Sequence, residues 1–65
     1  MKYRIEIWQY QNITETYESD SIENILEWYK VNWWWVYEIG GCSFHVYKDD
    51  EEISWREEYK LGFHS

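Results

Sequence analysis

The sequence predicts a small α+β domain. An antiparallel sheet of about four strands, in the order ββαββ, carries one helix packed on one face, and a short C-terminal segment reads as a further helix. Three observations carry this prediction. Residues 2–10 alternate at strand period, and residues 19–31 hold an apolar stripe at helical spacing. Gly40-Gly41 lies between two β-prone runs, where a tight hairpin turn belongs. With 65 residues, the whole chain, 1–65, is expected to be a single domain.

The first strand is Lys2 to Tyr10. Tyr3, Ile5 and Ile7 fall on one face, and Arg4, Glu6, Trp8 and Tyr10 on the other. A turn at Gln11-Asn12 leads into a second strand, Ile13 to Glu18, favoured by two threonines and a tyrosine. A two-residue turn there would set Ile5 opposite Glu18. That pairing is poor for a core residue, so a bulge or a longer loop is the alternative.

Ser19 to Val31 reads as the main helix. Asp20 has N-cap character, with Glu23 three residues on at capping-box spacing. Ile22, Ile25, Leu26 and Tyr29 then recur on one face. The next stretch, Val31 to Tyr47, contains Trp33-Trp34-Trp35 and Gly40-Gly41 and reads as a β-hairpin with a type I′ turn. Its register would pair Tyr37 with Phe44 and Trp35 with Val46 on one face. Val36 with His45 and Trp34 with Tyr47 would share the other. Lys48 to Glu52 is a charged turn, and Ile53 is a candidate start of another short strand. In the tail, Ser54 and Glu57 repeat the capping-box spacing, and Gly62 stands where a helix C-cap glycine belongs. Strand alternation of Trp55, Glu57 and Tyr59 is the competing reading.

On this arrangement the helix covers Tyr3, Ile5, Ile7, Trp33, Trp35, Tyr37, Phe44 and Val46. The second sheet face keeps Trp8, Tyr10, Trp34, Val36, His45 and Tyr47 among charges, which is too apolar for a face meant only for water. The C-terminal segment, with Trp55, Tyr59 and Phe63, is the expected cover. A homodimer through the open face and a partner or ligand site are the other outcomes.

Composition narrows the function classes. Thirteen acids against six bases give a net charge of −7, which disfavours direct nucleic-acid binding, since that needs a basic footprint. A single cysteine, Cys42, offers no disulfide framework and points to a reducing, cytoplasmic setting. No basic leader precedes an apolar run, and no apolar run approaches the roughly 20 residues of a membrane span. Six Trp, seven Tyr and two Phe supply a core and contact surface that a short chain would otherwise lack.

Chemistry-bearing constellations are sparse. Cys42 and His45 are three apart on a strand and therefore point to opposite faces, which suits neither a zinc pair nor a nucleophile and its base. The acids at positions 49–52 are expected in a solvated turn, where nothing raises a carboxyl pKa. No phosphate-cradling glycine loop is present. A non-enzymatic protein with no metal and no cofactor is the expectation.

The leading expectation is an acidic binding protein that inhibits or modulates a partner with a basic surface. Asp49, Asp50, Glu51, Glu52, Glu57 and Glu58 would form the acidic surface, with Trp8, Trp34 and Tyr47 as aromatic anchors. By analogy of size and composition alone, a phage-type inhibitor of a host enzyme or defence system is one form of such a protein. The alternatives are a nucleotide or sugar binder that uses aromatic stacking, and a self-associating structural module.

Overall fold

A computed structural model describes residues 2–64. Strand period in the N-terminal segment is realised as β1, Tyr3–Gln9, with Ile5 and Ile7 buried on its inner face. β2, Asn12–Ser19, returns antiparallel beside it. The turn lies at Tyr10-Gln11, one residue earlier than expected, and Tyr10 takes a positive φ of 57°. A bulge between Ile7 and Trp8 leaves Thr14 as the extra residue, and the Thr14 hydroxyl donates to the Ile7 carbonyl at 3.1 Å. The shift places Ile5 opposite Tyr17 instead of Glu18. The mismatch in the simple hairpin register is thereby relieved.

The largest departure from expectation is α1. It spans Ile22–Ile39, so the three tryptophans lie in the helix and not in a hairpin strand. Ile25, Tyr29 and Val36 are all buried, and their spacing of four and seven residues keeps them on one stripe. Trp33 and Trp35 flank that stripe half-buried, while Trp34 faces water. The Trp35 indole N–H donates to the Asn32 side-chain oxygen at 3.0 Å, one turn back, and the Asn32 amide donates to the Trp28 carbonyl at 2.8 Å. These contacts satisfy polar groups that a strand would have used differently. The N-cap is Ser21, not Asp20, and its side chain makes no cap bond. Instead, the Ser19 hydroxyl oxygen accepts from the Ser21 N–H and the Asn24 amide.

Gly40 and Gly41 both have positive φ, 76° and 66°, as a type I′ turn would need, but here they end a helix. A Cβ on Gly41 would stand 3.1 Å from the Tyr10 ring, so the β1–β2 turn also packs there.

β3, Cys42–Lys48, follows a helix instead of a hairpin partner and lies antiparallel against β1. Ile5 meets Val46 and Ile7 meets Phe44 on the inner face. Asp49-Asp50 form a two-residue turn with φ of 51° and 68°, a region aspartate tolerates. β4, Glu51–Glu52, then pairs with Tyr47 and Lys48. The sheet order is β2-β1-β3-β4, and α1 packs across one face. The four-stranded α+β expectation holds, with β3 and β4 each supplied by a later segment than anticipated.

α2, Trp55–Leu61, follows the anticipated signals closely. The Glu57 N–H donates to the Ser54 hydroxyl at 3.3 Å, and Gly62 caps the other end in the left-handed region, its N–H reaching the Glu58 carbonyl. Phe63 is then buried against Tyr29 and Phe44, with ring centroids 5.2 and 5.9 Å away. The C-terminal segment therefore completes the core on the α1 side. It does not cover the second sheet face, because Phe63 is the residue that buries and the αL turn at Gly62 aims it inward.

Candidate functional site

The face of the sheet turned away from α1 is built by alternation along β1 and β3. Arg4, Glu6 and Trp8 stand opposite Tyr47, His45 and Ser43 in turn. The face is more polar than expected, since Trp34 and Val36 belong to α1 and Tyr10 to a turn. Glu6 is its hub. One carboxylate oxygen accepts from the Arg4 Nε at 2.9 Å and the other from the Trp8 indole at 3.0 Å. Arg4 also reaches Asp50 at 2.9 Å and lies over the Tyr47 ring at 4.4 Å. His45 Nδ1 lies 2.7 Å from Glu52 and its ring meets Trp8 edge-on, with centroids 6.2 Å apart.

These contacts perturb two groups. The Asp50 hydrogen bond and the nearby Glu6 charge hold the Arg4 guanidinium above its already high ordinary pKa, against a desolvation that lowers it. Burial pushes the Tyr47 phenol up, and the negative charges of Glu6 and Glu52 push it further.

At the β3–β4 end, the Lys2 backbone N–H donates to the Asp49 carboxylate at 2.9 Å, and the Lys2 ammonium pairs with Glu18 at 2.7 Å. A hollow of about 360 Å³ opens between these groups, with both charge signs on its walls. Lys2 and Arg4 are thus already engaged by Glu18, Asp50 and Glu6, and the surplus charge around them is negative.

The expected site residues separate into three groups. Asp49, Asp50, Glu51, Glu52 and Tyr47 come together around the β3–β4 turn, and Trp8 shares the open face with Tyr47. Glu57 lies on α2, exposed, with Lys60 at 3.9 Å. Two residues are displaced from the anticipated surface. Glu58 is buried, 8% exposed, and meets His64 Nε2 at 2.8 Å, because its position on α2 faces inward toward the core. Trp34 is exposed on α1 and not beside Tyr47, because the helix runs on through residues 31–39.

Sequence reasoning missed the Glu6 hub and the Glu58–His64 pair. Alternation placed Arg4, Glu6 and Trp8 on one face, which was the available signal for the hub. The Glu58–His64 contact depends on the chain reversal at Gly62, and no fixed spacing announces it.

The helical side is different in kind. Trp34, Tyr37, Trp55 and Tyr59 are all exposed there. The helices carry five acids (Glu23, Glu27, Glu38, Glu57, Glu58) and three bases (Lys30, Arg56, Lys60), a net of −2. The remaining residues carry eight acids and three bases, a net of −5. The densest run of charge, Asp49 to Glu52, lies at the β3–β4 turn, outside the helices.

Cys42 packs against the core while His45 stands on the open face. Among the described residues, no group of three or more His, Cys, Asp or Glu is placed to hold a metal ion. Among the described residues, no helix is long and apolar enough to cross a membrane. Comparison with known proteins finds no matching family model, no matching curated protein and no matching solved structure.

Proposed function

We propose that this chain is a non-enzymatic protein-binding module that docks on a basic surface of another protein and thereby blocks or modulates it. The observation that supports this reading is the run of four consecutive exposed carboxylates, Asp49 to Glu52, at the β3–β4 turn. The bases beside it, Lys2 and Arg4, are already paired within the protein. The docking surface is the β3–β4 turn with the adjoining open face: Asp49, Asp50, Glu51 and Glu52 supply charge, and Tyr47 and Trp8 supply flat, partly desolvated contact area. Complementary charge speeds encounter and sets register, while aromatic residues carry most of the affinity at such interfaces.

The test is a two-step binding experiment. Proteins captured on the wild-type chain at low salt are identified, purified and measured against two forms, the wild type and one with residues 49–52 all replaced by Lys. The reading expects slower association for the reversed form and a wild-type affinity that weakens as salt rises. Equal association rates at low salt would remove the acidic surface from the mechanism.

A further inference from the structure

We propose that the outer edge of β2, with the groove between β2 and α1, docks an extended segment of another protein. That segment carries lysine or arginine at alternate positions and adds to the sheet as an antiparallel strand beside β2. The sheet order β2-β1-β3-β4 leaves β2 at one edge, eight residues long and mostly exposed. The opposite edge ends in β4, which has two residues. A long open edge presents a row of backbone donors and acceptors with which an incoming strand can pair.

Backbone bonds at both ends of β1 show which β2 groups face outward. The Asp49 N–H donates to the Lys2 carbonyl at 2.8 Å, and the Tyr10 N–H to the Gly41 carbonyl at 3.3 Å. Antiparallel bonding alternates along a strand, so the even-numbered residues of β1 turn their backbone groups to β3. Tyr3, Ile5 and Ile7 turn theirs to β2, where they engage Ser19, Tyr17 and Glu15. The N–H and C=O of Thr16 and Glu18 therefore point away from the sheet. The bulge at Thr14 interrupts the regular edge, so residues 15–19 are the part that receives a strand.

The groove gives that strand a side-chain preference. Residues opposite one another on neighbouring strands share a face, so the incoming residue beside Tyr17 projects to the α1 side. A hollow of about 340 Å³ lies there, lined by Tyr17, Asn24, Glu27, Trp28, Val31 and Asn32. The Tyr17 and Trp28 rings stack within it, 5.6 Å between centroids and 6° from parallel. Asn24 and Asn32 already give their amide N–H groups to the Ser19 hydroxyl and the Trp28 carbonyl. Among the described residues lining the hollow, Glu27 alone is charged. A lysine or arginine suits this combination: its stem lies along the rings and Val31, and its head meets Glu27. Glu15, two positions from Tyr17 on the same face, asks for the same sign from the next alternate residue.

The sign of the charge selects the occupant. β2 contributes Glu15 and Glu18 and no base, and the hollow contributes Glu27. Glu18 is held by Lys2 at 2.7 Å, while among the described residues neither Glu15 nor Glu27 has an ion pair. A second copy pairing through its own β2 would set carboxylates near carboxylates and bring two chains of −7 together. An acidic segment meets the same repulsion, and a basic one answers both free acids. Because β2 and β4 are opposite edges of the sheet, this site stands or falls separately from the β3–β4 turn.

The probe is a blocked peptide of about seven residues, lysine alternating with threonine, titrated into the isotope-labelled full chain and followed by amide NMR. The expected result is saturable shifts at residues 15–19 and Trp28, with slowed hydrogen exchange of the Thr16 and Glu18 amides. With the lysines on the α1 side, the threonine N–H groups face β2 and the lysine N–H groups face away. N-methylation of the threonines should therefore weaken binding about tenfold or more, and N-methylation of the lysines should be tolerated. Glutamate in place of lysine should weaken it at least as much. On the protein, Thr16→Pro removes one outward N–H at an edge position where proline is tolerated. Glu27→Lys reverses the charge of the hollow on an exposed helical position. Each should cost on the order of tenfold in affinity with far-UV circular dichroism unchanged, and the methylated peptides test the same contacts on the unaltered protein. No saturable shift up to about 1 mM peptide overturns the proposal. So do equal affinities for the two methylated forms, equal affinities for the lysine and glutamate peptides, or shifts confined to residues 49–52.

Discussion

The two sides of the sheet use aromatic residues in opposite ways. On the open side, Trp8 and Tyr47 are tied into a polar network through Glu6 and Arg4, and their rings serve as half-buried partners of charges. On the helical side, Tyr29, Phe44 and Phe63 form the inner core, while Trp34 and Tyr37 stand exposed on α1 and Trp55 and Tyr59 continue outward on α2, held by one another, His64 and Arg56. The run of four acids, Asp49 to Glu52, lies at the end of β3 and on β4. The lesson is that a high aromatic content in a short chain need not mean one binding box. Here it is divided between a charge-stabilised face, a core and an exposed outer layer.

The contrast is broken most severely at Trp34. If residues 31–39 form a helix, Trp34→Pro removes an intrahelical hydrogen bond and clashes with the preceding turn, at a cost of about 3 kcal/mol or more. Trp34→Ala loses only an exposed ring and should change monomer stability by no more than about 0.5 kcal/mol. Urea denaturation of both variants, at concentrations where the chain is monomeric, measures the difference. Similar midpoints for the two would mean that Trp34 is not within a helix, and the division between the two sides would collapse.

A smaller effect is expected at the hub of the open face. Glu6→Ala strands the Trp8 indole N–H and the Arg4 Nε, both partly removed from water, and should cost about 1–2 kcal/mol. Glu6→Gln keeps an acceptor for the indole and should recover part of that loss. If both variants matched the wild type in urea, the network would be solvated and the two sides would differ less than the geometry indicates.

Alkaline pH distinguishes the sides by their tyrosines. Burial raises the Tyr29 phenol above its ordinary value of about 10, with Glu58 adding to the effect, and burial with Glu6 and Glu52 raises Tyr47. A raised acid holds its proton in the folded state after the unfolded chain has lost it. The stability associated with each neutral phenol is therefore fully present below about pH 10 and falls as pH rises through the folded-state value. Stability measured from pH 9 upward should decline, and Tyr29→Phe and Tyr47→Phe should each flatten that decline. An unchanged slope in both variants would contradict the burial of these phenols.

Much of the fold could be read in the sequence, and the failures have specific causes. β1 was legible because strict alternation fits only one period, and α2 because Ser54, Glu57 and Gly62 mark both of its ends. α1 was cut short because three consecutive tryptophans have no period of their own, and tryptophan's strand preference depends on context. The decisive signal was the continued spacing of Ile25, Tyr29 and Val36. Gly40-Gly41 misled because positive φ serves a helix end as well as a type I′ turn. A hairpin there would put Trp34 on the open face, which the helix instead leaves more polar. Asp49-Asp50 form the turn that composition indicates, but Glu51-Glu52 form β4, ahead of the strand start expected at Ile53, and the inward direction of Glu58 depends on how α2 docks.

The smallest expected effect concerns the charges themselves. Asp50 bonds Arg4 at 2.9 Å, but its carboxylate stands almost wholly in water, and such exposed pairs contribute about 0–1 kcal/mol. Asp50→Asn, which removes the charge and keeps a side chain tolerated at a φ of 68°, should therefore leave stability within that range, and raising salt should erase even the remainder. Arg4 retains Glu6 and the Tyr47 ring after the change, so its own position should hold. The charge of the acidic turn then contributes little to folding, while its positive φ angles still favour Asp or Asn at positions 49 and 50. If Asp50→Asn instead cost as much as Glu6→Ala, that charge would be part of the scaffold and would need no external partner to explain it.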